Sequence, residues 1–273
     1  MNIAENQNND KRETIFMTIR RRRRREIEQL RLARNIDATV LDLPKFVDRR
    51  LKHIARDLRQ LDRRLYQQVV SYIDLRLRAG LEVPIPPLRG HAISPDTAIF
   101  MDDLLKVLRP SEILELGSGF SSALLARHCM KYGGKLTSVD HVQQFGSLAA
   151  GYVSAWGAQS CFDLIIADVT EQPLENGEHA LFYDLAPVAE KGVKFDFVFL
   201  DGPPKYVAEK VRGGFLPLFK DVLSPGCTIL VDDYYRPGEM EMVAAWVAEG
   251  LVEIVEENTA VEKHAAVLKF VGQ

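Results

Sequence analysis

The sequence predicts an α/β fold around a mostly parallel, doubly wound sheet, and three observations carry the prediction. Beyond Pro110, five strand-length apolar runs alternate with segments long enough for crossover helices. The first of these runs ends in a glycine-rich turn. The last two apolar runs of the chain are separated by too little sequence for a helix, so they form an antiparallel pair at one edge.

In chain order, residues 1–14 are polar and asparagine-rich and read as a disordered tail. Residues 15–79 hold no glycine and a single proline, Pro44, and read as a basic helical arm. Within the arm Leu51, Ile54, Leu58, Leu61, Leu65, Gln68, Tyr72 and Leu75 follow alternating steps of three and four, which places them on one helical stripe. Arg56, Arg59, Arg63 and Arg64 lie outside it. Such a stripe needs a partner, either the domain that follows or a second copy in a homodimer. Gly80 ends the helix, residues 81–90 carry three prolines and read as an extended linker, and residues 80–273 form the folded domain. Ser94, Pro95 and Asp96 supply a cap, a first-turn proline and a dipole-favoured acid for the next helix. The buried strands are 113–116, 136–139, 164–167, 197–200 and 229–231, and the closing pair is 252–256 with 265–270.

Composition narrows the class. Apolar residues make up 47% of the chain, enough for a sizeable core. Cys129, Cys161 and Cys227 lie far apart without C-x-x-C spacing, which argues against a disulfide framework or a structural zinc site and for a reducing, cytoplasmic setting. The longest apolar runs are strand-length, far short of the ~20 residues of a membrane helix. No apolar core follows the N-terminal arginines, as a secretory leader would require. The net charge of −3 conceals an asymmetry: 20 Lys and Arg face 11 Asp and Glu over residues 1–79, against 15 and 27 in the remainder. A basic arm precedes an acidic body.

Glu115-Leu116-Gly117-Ser118-Gly119 stands where the first strand opens into a helix. Glycines there admit a ligand close to the backbone, and the helix start offers free N–H groups. Asp140 ends the second strand, where a nucleotide site places a carboxylate on the ribose hydroxyls. NAD and S-adenosylmethionine both use such an acid, and three details separate them. Ser122 replaces the third glycine of G-x-G-x-x-G, Glu115 precedes the turn where dinucleotide sites have an apolar or small residue, and the chain closes with an antiparallel pair instead of a second nucleotide-binding half.

Residues 113–127 (ILELGSGFSSALLAR), 139–141 (VDH), 195–204 (FDFVFLDGPP) and 223–233 (LSPGCTILVDD) resemble the successive motifs of class I S-adenosylmethionine-dependent methyltransferases. Residues 87–96, 182–185 and 232–239 are similar to a bacterial group found beside or fused to glycosyltransferases. The resemblance implies a Rossmann-like, mostly parallel seven-stranded sheet with an antiparallel C-terminal strand pair. It assigns Gly117, Ser118 and Gly119 to the methionine and ribose of the cofactor, Glu115 to the methionine amino group and Asp140 to the ribose diol. His141 falls near the adenine, and Asp168 at the adenine amino group. Asp201 follows the fourth strand, with Asp232 and Asp233 after the fifth. Carboxylates brought together repel unless a proton or cation intervenes, and hard oxygen ligands suit Mg²⁺. Catechol-type O-methyltransferases chelate a metal with two acids and an amide at these places; here the amide position is Asp233. The metal-free alternative makes Asp201 or Asp232 a general base and leaves Asp233 to pair with Arg236 or to cap the helix after Pro237.

The expected activity is O-methylation of a hydroxylated small molecule or glycan. Two rivals rest on the arm. Six consecutive arginines at 20–25 suit a nucleic-acid backbone, as in a nucleic-acid methyltransferase or binding module, although the body is acidic and no N-P-P-Y motif is present. The same charge suits an interaction protein docking on an anionic membrane or a partner. A solvated basic tail explains the run equally well. Lys205, Tyr206 and His91 are placed to meet an acceptor or to serve as ordinary surface and packing residues. The acceptor pocket is expected among the loops 86–94, 176–187 and 234–237.

Overall fold

A computed structural model describes residues 3–80, 82–88, 90–174 and 177–272, with the backbone alone for 3–22 and 33–44. The elements are α1 (Ile3–Ala79), α2 (Pro95–Leu108), β1 (Glu112–Leu116), α3 (Phe120–Tyr132), β2 (Lys135–Asp140), α4 (Gln143–Ala155), β3 (Phe162–Ile166), β4 (Val169–Pro173), β5 (His179–Tyr183), α5 (Ala186–Ala189), β6 (Phe195–Leu200), α6 (Phe215–Phe219), β7 (Leu223–Val231), α7 (Pro237–Ala248), β8 (Val252–Asn258) and β9 (Ala265–Phe270). The chain divides into two compact units, 1–63 and 64–273.

The first unit is α1 as far as residue 63. The helix begins at Ile3 and so takes in residues 3–14 of the segment expected to be a disordered tail; neither glycine nor proline stands there to break it. Leu51, Ile54, Leu58 and Leu61 of the apolar stripe are all more than half exposed. Arg23, Arg24 and Arg25 are exposed, and the side chains of Arg20, Arg21 and Arg22 lie outside the described residues.

The second unit starts at Arg64, earlier than the boundary read at Gly80, because the end of α1 packs into it. Leu75 and Ala79 are buried in one apolar cluster with Ile93, Met101 and Leu105. Tyr72 Oη donates to the Ile85 carbonyl at 3.2 Å, and Gln68 Nε2 to Asp96 Oδ2 at 2.7 Å. Asp96, expected only to favour the helix dipole, also accepts from the Thr97 N–H (2.9 Å) and from the Glu262 N–H (2.8 Å). Ser94 makes no side-chain cap; its hydroxyl donates to Asp96 Oδ1 at 2.6 Å, so the neighbouring carboxylate takes the hydroxyl that would have turned to the backbone.

The seven-stranded sheet has the order β3-β2-β1-β6-β7-β9-β8. β1 runs parallel to β2 and β6, β2 to β3, and β6 to β7; β9 enters antiparallel between β7 and β8. This is the Rossmann-like, mostly parallel sheet with an antiparallel C-terminal pair that the sequence predicts. Apolar layers cover both faces, which is why the central strands read as unbroken apolar runs: Phe197, Val198, Phe199 and Leu200 of β6 are fully buried. The edge strand β8 instead exposes Glu253, Glu256 and Glu257, charges that discourage edge-to-edge association. The chain leaves β1 toward β2 and β3, then crosses back to β6. That reversal opens a crevice at the carboxyl ends of β1 and β6, where open α/β sheets take ligands.

The sequence reading did not anticipate a separate two-stranded sheet, β4 with β5, between β3 and β6. Its anchor is Phe182, whose ring centroid lies 6.0 Å from those of Phe215 and Phe219. Among the described residues, no helix is long and apolar enough to cross a membrane.

Burial along α1 separates two outcomes. Leu75→Ala should cost about 2–5 kcal/mol and lower the thermal midpoint by roughly 5–15 °C, whereas Leu58→Ala should stay within about ±0.5 kcal/mol. Differential scanning calorimetry reads both. Equal losses would mean that the stripe is buried along its whole length.

Candidate functional site

Two turns meet at the crevice. Gly117, after β1, has φ 100°, and a Cβ there would lie 3.0 Å from the Gly202 nitrogen. A Cβ on Gly202, after β6, would lie 2.9 Å from the Gly117 α-carbon. Only glycine permits this approach on both sides. Extended ladder bonds hold the turns in step: the Gly117 N–H donates to the Val139 carbonyl (2.8 Å), the Asp201 N–H to Leu116 (3.0 Å) and the Asp232 N–H to Leu200 (3.1 Å). Asp140, Asp201 and Asp232 therefore share one edge of the sheet.

Asp140 is buried and accepts from the Ser118 N–H (3.0 Å) and the Val142 N–H (2.8 Å), tying the glycine turn to the end of β2. Burial raises its pKa, and those backbone bonds oppose the rise. Each oxygen keeps a further lone pair. His141 Nδ1 lies 3.4 Å from Asp140 Oδ1 without a hydrogen bond, and is buried with no partner. Ser118 Oγ pairs with Ser138 Oγ at 2.7 Å. Asp168 follows β3 in an exposed position, and its carbonyl accepts from the Asp184 N–H at 2.8 Å, closing the base of the β4–β5 hairpin.

Glu115 is fully buried, and its carboxylate accepts from the hydroxyls of Ser121, Ser122 and Ser138. It fastens β1, β2 and the start of α3 together beneath the turn.

The three acids after β6 and β7 do converge. Asp201, Asp232 and Asp233 each bring a carboxylate oxygen within 4.8 Å of the others. Asp232 is fully buried and neither of its oxygens has a hydrogen-bond partner among the described residues; Asp233 Oδ1 also lacks one. Burial first, then Asp232, raises the Asp201 pKa well above the carboxylate range; burial and Asp233 raise Asp232 to about 6. A cation that the sequence reading missed enters here. Arg212, only 4% exposed, donates from Nη2 to Asp201 Oδ1 (3.0 Å) and Asp233 Oδ2 (3.3 Å), and from Nη1 to the Asp232 carbonyl (3.0 Å). Arg236 pairs with Asp233 at 2.7 Å, as one sequence alternative had it, and Glu239 lies 3.8 Å from Arg212. Four carboxylates thus face two guanidiniums. Lys263, which reaches the Ala92 carbonyl at 2.9 Å, adds its field to Asp201 and Asp232. Nothing in the local sequence marks Arg212, which belongs to no motif; only the need to offset clustered acids points to such a residue.

On the outer side, His91 and Tyr206 have ring centroids 6.4 Å apart, and Tyr206 and His141 the same. Tyr206 is largely exposed and Lys205 is exposed. The linker and the turn after β6 therefore meet the end of β2 at this rim.

The burial of Glu115 makes stability depend on pH. Its pKa is raised from 4.5 to about 7, burial outweighing the three hydroxyls. A group raised in this way favours the fold fully below pH 4.5 and loses that contribution as pH climbs to about 7. The thermal midpoint of Glu115→Gln relative to the native chain should therefore rise by several degrees between pH 5 and pH 8. Scanning fluorimetry across that range measures it; a difference that stays flat with pH would contradict the assignment.

Residues 114–234 match the model of a family described as a methyltransferase domain. No curated protein matches the chain in sequence. Among solved structures, the O-methyltransferase of Bacillus cereus in complex with SAH is similar with a TM-score of 0.51 at 15% identity, over 75% of this chain and 90% of that one. The SAH-bound methyltransferase PaMTH1 of Podospora anserina is similar with a TM-score of 0.52 at 13% identity, over 75% and 88%. At such identities the likeness is one of fold. Residues 114–234 thus match a methyltransferase domain in sequence, and the sheet that carries them shares the fold of these solved methyltransferases.

Proposed function

We propose that the chain transfers the methyl group of S-adenosylmethionine to a hydroxyl of a small molecule or sugar. The observation that carries this reading is the shared sheet edge: the Gly117–Gly202 contact lies between Asp140 on one side and the Asp201, Asp232 and Asp233 cluster on the other. The residues fit the cofactor. The turn is made of glycines, Asp140 retains lone pairs after two backbone bonds, and His141 Nδ1 lacks a partner. Gly117, Ser118 and Gly119 would line the methionine and ribose, Asp140 would hold the ribose diol, His141 would flank the adenine and Asp168 would accept from its amino group. Glu115 acts from beneath by fixing the three serines. When bound, the cofactor supplies a methyl on an already activated sulfonium, so the protein has chiefly to align the acceptor and remove one proton.

Asp201 and Asp232 would take that proton. The cluster also fits a divalent cation such as Mg²⁺: three unpartnered oxygens on Asp232 and Asp233, a third acid beside them, and more negative charge than the two guanidiniums offset. Asp201, Asp232 and Asp233 would hold the ion, which would acidify a bound hydroxyl. The expectations attached to the arm rest on other residues, the exposed stripe for a second copy and the exposed arginines for nucleic acid or an anionic membrane.

Calorimetric titration with S-adenosylhomocysteine, with and without Mg²⁺, tests the reading. Binding in the micromolar range should fall by more than about tenfold in Asp140→Ala, the loss of paired charge-assisted hydrogen bonds. Tighter binding with Mg²⁺ identifies the cation-bearing form. A folded chain that binds no S-adenosylhomocysteine in either buffer is not this enzyme.

A further inference from the structure

Tyr183 closes β5 and is fully buried, yet its hydroxyl has no hydrogen-bond partner among the described residues. A buried polar group left unpaired destabilises a fold, and phenylalanine would fill the same space without that cost, so the hydroxyl calls for an explanation. Its position is distinctive. A Cβ on Gly202 would come within 2.4 Å of the oxygen, which places the hydroxyl against the glycine contact at the carboxyl ends of β1 and β6. Its ring centroid lies 6.0 Å from that of His141, whose Nδ1 is a second buried atom without a partner. The hairpin that carries it is held firmly. Val169 pairs with Tyr183 across the two strands, Gln172 Nε2 donates to the Tyr183 carbonyl (2.9 Å), and the Asp184 N–H returns to the Asp168 carbonyl (2.8 Å). Tyr183 therefore stands between the end of β2, with Asp140 and His141, and the turn after β6, where Asp201 and Arg212 also add their fields.

We infer that Tyr183 is a positioning residue of the cofactor site, its hydroxyl hydrogen-bonding the nucleoside half of S-adenosylmethionine alongside His141. This deepens the function proposed above and rests on it. The β4–β5 hairpin is then part of the cofactor site instead of an acceptor loop. The partner is a nucleoside oxygen or ring nitrogen, because the His141 ring borders the tyrosine ring and Asp140, also at the end of β2, is the foremost charge acting on it.

The test titrates the native chain and Tyr183→Phe with S-adenosylhomocysteine and with 5′-methylthioadenosine, which keeps the nucleoside and lacks the amino acid. The variant should bind both ligands about 5–15-fold more weakly, by the same factor, as the loss of one hydrogen bond requires. Its ligand-free thermal midpoint should hold or rise by about 2–4 °C, since an unpaired hydroxyl has been removed. Affinities within twofold of native, or a loss confined to S-adenosylhomocysteine, overturn the inference. So does a midpoint several degrees lower, which would show that the hydroxyl already has a structural partner. A native chain that binds neither ligand overturns the proposed function itself, an outcome distinct from native binding that the variant leaves unchanged.

Discussion

The contact of Gly117 with Gly202 is the constraint on which the rest of the crevice depends. Two backbone turns, each following a central parallel strand, press together so closely that neither has room for a side chain. Their closeness brings the Asp140 carboxylate to the Ser118 amide and sets Asp201 beside the end of β1. Beneath the contact, Glu115 and its three serines form a small polar core inside an otherwise apolar sheet. Such a core is tolerable because every acceptor is met, and it gives the turn a single shape instead of several.

The acidic cluster is governed by a different balance. Three aspartates at one point repel, and burial aggravates the repulsion by removing the screening of water. Arg212 answers part of it from below, through carbonyls and carboxylates together, and Arg236 answers part from the rim. What stays unanswered lies on Asp232 and Asp233, facing inward. On the function proposed above the site would accept one more positive group, a proton or a divalent ion, and the two alternatives demand the same residues.

How much of this the sequence disclosed follows from how each feature is encoded. The central strands were legible because apolar layers cover both their faces, so burial is written as unbroken runs such as FDFVFL. The acids at the strand ends were legible because topology delivers every parallel strand to the same edge. The β4–β5 hairpin was not, since β4 reads VTEQP, with charge and a proline in place of alternation, and its hold on the body comes chiefly from Phe182 and Tyr183 of β5. The three serines that meet Glu115 were not legible, since chain position says nothing of what a side chain faces. Arg212 was invisible, as a buried arginine is called for by distant acids and by no neighbour in sequence. The α1 stripe was legible as a pattern, but where along the helix burial begins is set by Ile93, Met101 and Leu105, which the pattern does not contain.

The hairpin has a kinetic consequence. β4 and β5 form a sheet of their own, sharing no ladder with the seven central strands. A grip on the nucleoside supplied from such an insert can be strengthened or relaxed without disturbing the strand ends that align methyl and acceptor. Because spent and fresh cofactor carry the same nucleoside, the grip proposed above would act on both alike. It would set how long the demethylated product lingers, and with it how strongly turnover is throttled when spent cofactor accumulates. Turnover in a crowded cofactor pool would then be tuned from the hairpin, at a distance from the chemistry.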